Sequence, residues 1–411
     1  MRPAKTTPLA ATVALAGIML VAACAPQRPV PWRQTPPAPE AVTPLSEGPK
    51  GPPKAALLLP LSGPSEAIGQ DLMDAAQMAL FDAGENQLEL LPFDTGSEPE
   101  GAMVAARAAV ASGADVIIGP LFARSTTAIT PIAAQANVEV LSLSNDSSVA
   151  RPGVWVLGLQ PEEQVERVVR FAAQNGVSRA GALAPADAYG EKAVQAFRQA
   201  ATTSGLEPAG IATYPPADST PSDAVGRVAR ALGVVPSDGQ RPATPPPPGG
   251  AVLLADGGAR LRAVASLLAY HDVDPMQIRH LATMRLADDP SALRDPQLQG
   301  AWLAGPAPEA SEQFANPFSQ VYARSPSPLA LLAYDTTAMV AGLSRLGPLE
   351  PTHYTDSQGF LGRAGIFRLL PDGRTERGLA VMEVNQGTLR PVDPAPTLFD
   401  RGMATLGGSS Y

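Results

Sequence analysis

Ala55-Ala56-Leu57-Leu58-Leu59-Pro60-Leu61-Ser62-Gly63 is the stretch on which the fold turns. A short apolar run that stops at Pro and Ser-Gly is the pattern of a strand buried on both faces. Residues 65–82 follow with helical spacing at Ile68, Leu72, Ala75, Ala76, Met78 and Ala79. The alternation then continues. Strand signals cover 88–92, Val116-Ile117-Ile118-Gly119 and 138–142, and helical ones cover 99–112 and 126–135. The pattern restarts with a connecting strand at 154–159. Helices follow over 163–175 and 190–204, with strands over 180–184, 211–214 and 251–255. A helix runs through Tyr270, a strand covers 301–304 and a long helix 330–346. Residues 365–370 and 379–384 read as a terminal hairpin turned by Asp372-Gly373. Apolar strands alternating with amphipathic helices predict an α/β protein whose strands lie in mostly parallel sheets flanked by helices. Two such sets predict two lobes and a cleft at the carboxyl ends of the strands.

Working outward, the N-terminus reads as an address. Arg2 and Lys5 precede an apolar run from Leu9 to Val21 that is shorter than the ~20 residues a membrane-spanning helix needs. The run ends at Val21-Ala22-Ala23-Cys24, which resembles the bacterial lipobox: an aliphatic residue, two small ones, then the cysteine that is lipidated after cleavage. An ordinary signal peptide and an uncleaved anchor are the competing readings. Cys24, the one cysteine of the chain, stands where lipidation needs it, and no second cysteine is present to form a disulfide with it. Ala25, by resemblance to the enterobacterial sorting rule, favours the outer membrane over the inner. The expected organisation is a leader (1–23), a Pro-rich tether (24–53), a first lobe (54–153 with 303–350), a second lobe (154–302 with 351–393) and a tail (394–411). A Pro-rich insertion at 236–250 lies within the second lobe. The tether favours extended polyproline geometry at ~3.1 Å per residue and so acts as a spacer from the membrane.

After removal of Arg2 and Lys5 the chain carries 28 Lys and Arg against 39 Asp and Glu, a net −11. That unclustered acidic balance argues against nucleic acid and against a polybasic membrane surface. Apolar residues make up 45%, enough for sizeable cores.

Several motifs in order resemble the leucine/isoleucine/valine-binding group of type I periplasmic binding proteins. They are Leu57-Leu58-Leu59-Pro60-Leu61-Ser62-Gly63 with Gly69, Ile118-Gly119-Pro120-Leu121, Leu141-Ser142-Leu143-Ser144-Asn145, Pro185-Ala186-Asp187-Ala188-Tyr189-Gly190, Ala333-Tyr334-Asp335, and residues 359–367. The resemblance covers about 54–393 and implies a two-lobed type I fold with a ligand cleft. With a lipid anchor, the chain most resembles the penicillin-binding-protein activator lipoproteins, which stimulate bifunctional peptidoglycan synthases. The enterobacterial members carry an N-terminal helical-repeat domain where this chain has only the Pro-rich segment. The alternative implied function is a solute receptor of an ABC transporter for amino acids or a related small solute.

The resemblance places Ser62, Ser142, Ser144 and Asn145 just past strand ends, where they would hold a ligand's charged groups. Tyr189 matches a family tyrosine whose ring covers an apolar ligand side chain, and Asp256 opens the second-lobe glycine turn. Two positions depart: Ala123 replaces a serine, and Asp256-Gly257-Gly258 lacks the family's aromatic. Each serine is equally a turn or cap residue, Asp256 a simple helix opener, and Asp335 a brace. His271, His280 and His353 have no metal-ligand spacing. Asp187 and Glu191 surround a turn, and no nucleophile elbow, P-loop or zinc-protease motif is present. The expected protein is not an enzyme and uses no cofactor. Its expected partners are a membrane through lipidated Cys24, a bifunctional penicillin-binding protein and a small ligand in the cleft.

Overall fold

A computed structural model describes residues 51–84, 88–234 and 247–399. Cys24, the leader, nearly all of the tether, most of the Pro-rich insertion and most of the C-terminal tail lie outside the described residues. Five parallel strands form the first sheet: β1 (Lys54–Leu59), β2 (Glu89–Asp94), β3 (Val116–Ile118), β4 (Glu139–Ser142) and β5 (Val154–Val156), in the order β2-β1-β3-β4-β5. Because successive strand residues point to opposite faces, β1 feeds two cores. Ala55, Leu57 and Leu59 pack under α1 (Glu66–Ala83) and the later helix α10 (Ala330–Ser344). Ala56 and Leu58 pack under α2 (Pro99–Ala111) and α3 (Ala123–Ala136). All five side chains are essentially inaccessible, so the opening run is apolar at every position.

The second sheet repeats this arrangement with β6 (Arg179–Pro185), β7 (Glu207–Tyr214), β8 (Gly250–Leu254), β9 (Ile278–Ala282) and β10 (Trp302–Gly305) in parallel. Two antiparallel strands, β14 (Ala380–Asn385) and β15 (Thr388–Asp393), extend one edge, giving the order β15-β14-β10-β9-β8-β6-β7. One face is covered by α4 (Pro161–Gln174) and α5 (Ala188–Thr203), the other by α6 (Ser222–Ala231) and α7 (Gly258–Tyr270). The short α8 (Pro290–Leu293) lies between β9 and β10. Helix α9 (Pro308–Tyr322) carries the chain back to the first core through Phe314 and Phe318.

In both lobes the helix after the leading strand starts very close to that strand's exit. A Cβ on Gly69 would lie 2.0 Å from the Pro60 carbonyl oxygen, and one on Gly190 would lie 1.9 Å from that of Pro185. Only glycine permits this approach, which sets the first turns of α1 and α5 directly against the strand exits.

Three expected boundaries are corrected. The strand expected over 154–159 at the start of the second lobe spans Val154–Val156 and is the last strand of the first sheet, paired with β4. The strand at 302–305, divided by the expected boundary at 303, lies wholly in the second sheet. The expected hairpin of 365–370 with 379–384 does not form. Asp372-Gly373 instead turns β12 (Gly365–Leu369) into β13 (Thr375–Arg377), which with β11 (Phe360–Gly362) makes a separate three-stranded sheet. That sheet and α11 (Pro351–Tyr354) place Tyr354, Phe367 and Leu369 in the first core rather than the second. It is joined to β5 by Trp155 Nε1 donating to Leu370 O at 2.9 Å and by Thr375 Oγ1 donating to Val156 O at 2.7 Å. The reason is shared: a buried strand looks the same in sequence whichever sheet it joins, because its pairing partners are distant along the chain.

Candidate functional site

Most of the expected ligand groups at the strand ends are already engaged by neighbouring protein groups. Ser142 is fully buried. Its Oγ lies 2.7 Å from Thr126 Oγ1 and 3.3 Å from Pro120 O, and it accepts from Ser144 N at 3.3 Å. It therefore fastens β4 to α3. Ser144 is also buried, and its Oγ accepts from Asp146 N at 3.1 Å, shaping the loop. Asn145 is exposed beside it, and so is Ser62. The Ser62 hydroxyl bonds Asp94. Burial works to raise the Asp94 pKa, but hydrogen bonds from Ser62, Gly96 and Leu61 outweigh it and hold the carboxyl below its ordinary value.

Asp256 is the clearest departure from a ligand role. Its side chain is 2% exposed, and it accepts from Tyr214 Oη at 2.8 Å, from Arg260 Nε at 2.5 Å and Nη2 at 2.9 Å, and from Gly257 N at 2.8 Å. A carboxylate with this many donors is a structural anchor for the start of α7. Burial, and then the Asp256 charge, push the Tyr214 pKa up.

Tyr189 stands at the start of α5, and its ring face is taken. The Arg285 guanidinium carbon lies 3.5 Å from the ring centroid, a cation–π stack. Arg285 comes from the turn after β9, where Gln164 of α4 fixes the backbone by accepting from Met284 N at 2.7 Å. Burial raises the Tyr189 pKa, and Thr283, Asp288 and Glu162 are among its neighbours. Arg285 itself has no hydrogen bond or ion pair among the described residues.

A polar network joins the loop after β4 to the first turns of α4 and α5. Lys192 Nζ donates to Asp146 Oδ1 at 2.5 Å and to Ser147 Oγ at 2.7 Å, and it lies 3.9 Å from Glu162 Oε1. Ser147 Oγ donates to Glu162 Oε1 at 2.5 Å. Burial works to raise the Asp146 pKa, but the hydrogen bonds from Lys192 and Ser148 and the Lys192 charge hold it below its ordinary value. Next to Glu162, the residue Glu163 is only half-buried overall, yet both its carboxylate oxygens are shut off from water and have no hydrogen-bond partner. Burial pushes its pKa up to about 8. Lys192, Asp146, Glu162 and Arg285 lie outside every recognisable motif. The one local signal is Asn145-Asp146-Ser147-Ser148, which has the chemistry of an Asx turn, and Asp146 Oδ1 does accept from Ser148 N at 2.9 Å.

The remaining acidic and histidine groups stand away from any shared arrangement. Asp187 caps α5 by accepting from Gly190 N at 2.8 Å, and Glu191 is exposed. Asp335 accepts from Arg363 N at 2.7 Å and Ala364 N at 2.9 Å, bracing the turn between β11 and β12. His280 is buried within the second sheet, which pushes its pKa down to about 4. Among the described residues no group of His, Cys, Asp and Glu is placed to hold a metal ion. No helix among them is long and apolar enough to cross a membrane.

Comparison with known proteins agrees with this architecture. A structure of a branched-chain amino acid ABC transporter protein from Rhodospirillum rubrum superposes with a TM-score of 0.70 at 18% identity, covering 83% of this chain and 100% of the other. Leucine-binding protein LivK from Thermotoga maritima gives 0.59 at 19%, covering 84% and 98%. Full-length LpoA from Haemophilus influenzae gives 0.62 at 18%, covering 84% of this chain and 59% of that one. In sequence, the penicillin-binding protein activator LpoA of Haemophilus ducreyi is 30% identical over 148 residues, 35% of this chain and 24% of that protein. An uncharacterised protein of Rickettsia prowazekii is 28% identical over 116 residues, 28% and 31% of the two chains. The matched segments thus span under a third of either sequence relative. The profile described as "Periplasmic binding protein" matches residues 52–388, and the chain belongs to that family.

Proposed function

We propose that this chain is a lipid-anchored envelope protein that regulates peptidoglycan synthesis by binding and activating a penicillin-binding protein. The family is one of binding proteins rather than enzymes, and its relatives point to the periplasm or cell envelope. The observation that carries the reading is the self-satisfied cleft. Ser142 is bonded to Thr126, Asp256 to Arg260 and Tyr214, and the Tyr189 face is covered by Arg285. A free amino acid would have to displace these contacts, and each buried group left unpaired costs ~1–3 kcal/mol. Surface depressions of about 730 Å³ along Gln195, Arg198 and Thr213 and about 340 Å³ between Tyr214 and Arg227 flank β7 and are the places where a partner could seat. The similarity to the Haemophilus ducreyi activator supports the same reading.

The test is a pull-down from membranes, with glycan-strand synthesis and cross-linking assayed with and without the purified protein. Retention of a bifunctional synthase together with faster synthesis is the expected result; absence of both sinks the reading. Anchoring is tested by Cys24→Ala, which should release the protein from membranes. Persistence in the membrane fraction at high salt would overturn the anchor.

One feature favours a solute receptor instead: the Arg285 guanidinium at the cleft has no hydrogen-bond partner among the described residues, the state of a side chain suited to a carboxylate. A thermal-shift screen of amino acids and muropeptides tests this. A ligand at 100 times its dissociation constant stabilises by ~2.7 kcal/mol, and a flat profile removes this alternative.

A further inference from the structure

The Lys192 network bridges the two lobes through side chains alone. Asp146 and Ser147 follow β4 of the first sheet, whereas Glu162 and Lys192 stand on α4 and α5, which pack on the second. Each partner is held independently of the bridge. Asp146 is set by its own loop, accepting from Ser148 N at 2.9 Å and Ser148 Oγ at 2.5 Å. Lys192 is set by the first turn of α5, which Gly190 allows to approach the exit of β6. The side chains of Lys192, Asp146 and Glu162 are 20%, 31% and 32% exposed, so the network lies at a boundary that water can reach, not in a core.

We infer that Asp146, Ser147, Glu162 and Lys192 form an interlobe latch that holds the cleft closed with the protein's own side chains and sets the balance between its open and closed forms. In a binding protein closed by a solute, the ligand bridges the lobes. Here a lysine on one lobe reaches an aspartate and a serine on the other and supplies that bridge itself. On this account the Arg285–Tyr189 stack faces a cleft whose closure is fixed by Lys192. The lobes then present a single composite outer surface.

Hydrogen exchange followed by mass spectrometry on the full chain tests it, comparing wild type with Lys192→Met and Lys192→Arg. A partly screened ion pair corresponds to about a fivefold change in an opening equilibrium. Lys192→Met is therefore expected to speed exchange about fivefold in the loop 144–149 and the first turn of α5. The cores of both sheets should be unchanged. Lys192→Arg should restore most of the protection, and 1 M salt should reduce the difference between wild type and Lys192→Met. Two outcomes overturn the latch. One is exchange in Lys192→Met within twofold of wild type in both segments. The other is acceleration spread evenly through both sheets, which marks general destabilisation and not lobe opening.

Discussion

Replacing Asp256 separates a structural anchor from a ligand contact. The carboxylate is 2% exposed, and Arg260, Tyr214 and Gly257 all donate to it. Removing one member of a buried ion pair typically costs 3–5 kcal/mol, because the other charge is left without its partner. Arg260 is 24% exposed and also donates to Pro216 O at 2.6 Å, so its charge keeps a route to water. That moves Asp256→Ala to the lower end, about 3 kcal/mol. Asp256→Asn keeps an acceptor for Tyr214 and Gly257 N and should cost about 1–2 kcal/mol less than the alanine. Urea unfolding followed by far-UV circular dichroism measures this, and with a slope near 3 kcal/mol/M the alanine variant should unfold about 1 M earlier. Pairing it with Arg260→Ala in a double-mutant cycle should give a coupling of about 1–3 kcal/mol. If Asp256→Ala unfolds within about 1 kcal/mol of wild type while abolishing the binding of some small molecule, the anchor argument fails and the cleft is a receptor site.

Three further outcomes follow from the same geometry. Burial lowers the folded-state pKa of His280 from 6.5 to about 4, so as the pH falls the unfolded chain takes up the proton first. Stability is lost between pH 6.5 and 4, by at most about 3 kcal/mol, and His280→Gln should remove that slope in a pH series of melts. Glu163 has the opposite sign. Its folded-state pKa is raised from 4.5 to about 8, so the folded state holds the proton and stability falls as the pH rises from 4.5 to 8. The limit is about 5 kcal/mol, and Glu163→Gln should be more stable than wild type at pH 8 and equal to it at pH 4.5. Gly190→Ala would place a Cβ 1.9 Å from the Pro185 carbonyl. It should destabilise by about 2–4 kcal/mol and loosen the Lys192 contacts in hydrogen exchange, whereas alanine at exposed Gly51, with open space around it, should change neither.

What could be read from the sequence divides along the same physical line. Leu57, Leu58 and Leu59 had to be apolar because both faces of β1 are covered, and Ile68, Leu72 and Ala75 had to recur at helical spacing because α1 covers one of those faces. Such demands are local, so the strands and helices, the α/β class and the two-sheet layout were visible. Sheet membership was not. Nothing in Val154-Trp155-Val156 records that its neighbour is β4, and nothing in residues 380–384 records that they pair with β10 and not with β12. The site was legible only as a neighbourhood. Ser142 closes β4, Tyr189 opens the helix after β6 and Asp256 follows β8. But a serine hydroxyl has the same chemistry whether it meets a ligand or Thr126, and Asp256 became an anchor only because Arg260 stands one turn away.

That ambiguity bears on how the function is to be sought. A type I binding fold keeps its backbone frame when its cleft chemistry changes, because the strand exits are fixed by contacts such as Gly69 on Pro60 and Gly190 on Pro185. The frame therefore says little about cargo. What distinguishes this chain is the direction in which its cleft side chains are satisfied: Ser142 and Asp256 point back into their own lobes, and Lys192 points across to the other. A receptor needs the reverse, polar groups left unpaired until a solute arrives and a cleft that the solute closes. The Arg285 guanidinium, stacked on Tyr189 with no hydrogen-bond partner among the described residues, retains that character. Its replacement by alanine decides between the readings more sharply than any change to the residues the family resemblance singled out. Loss of a small-molecule thermal shift in Arg285→Ala would restore the receptor. Undiminished stimulation of a synthase by the same variant would instead place recognition on the outer surface that the latched lobes share.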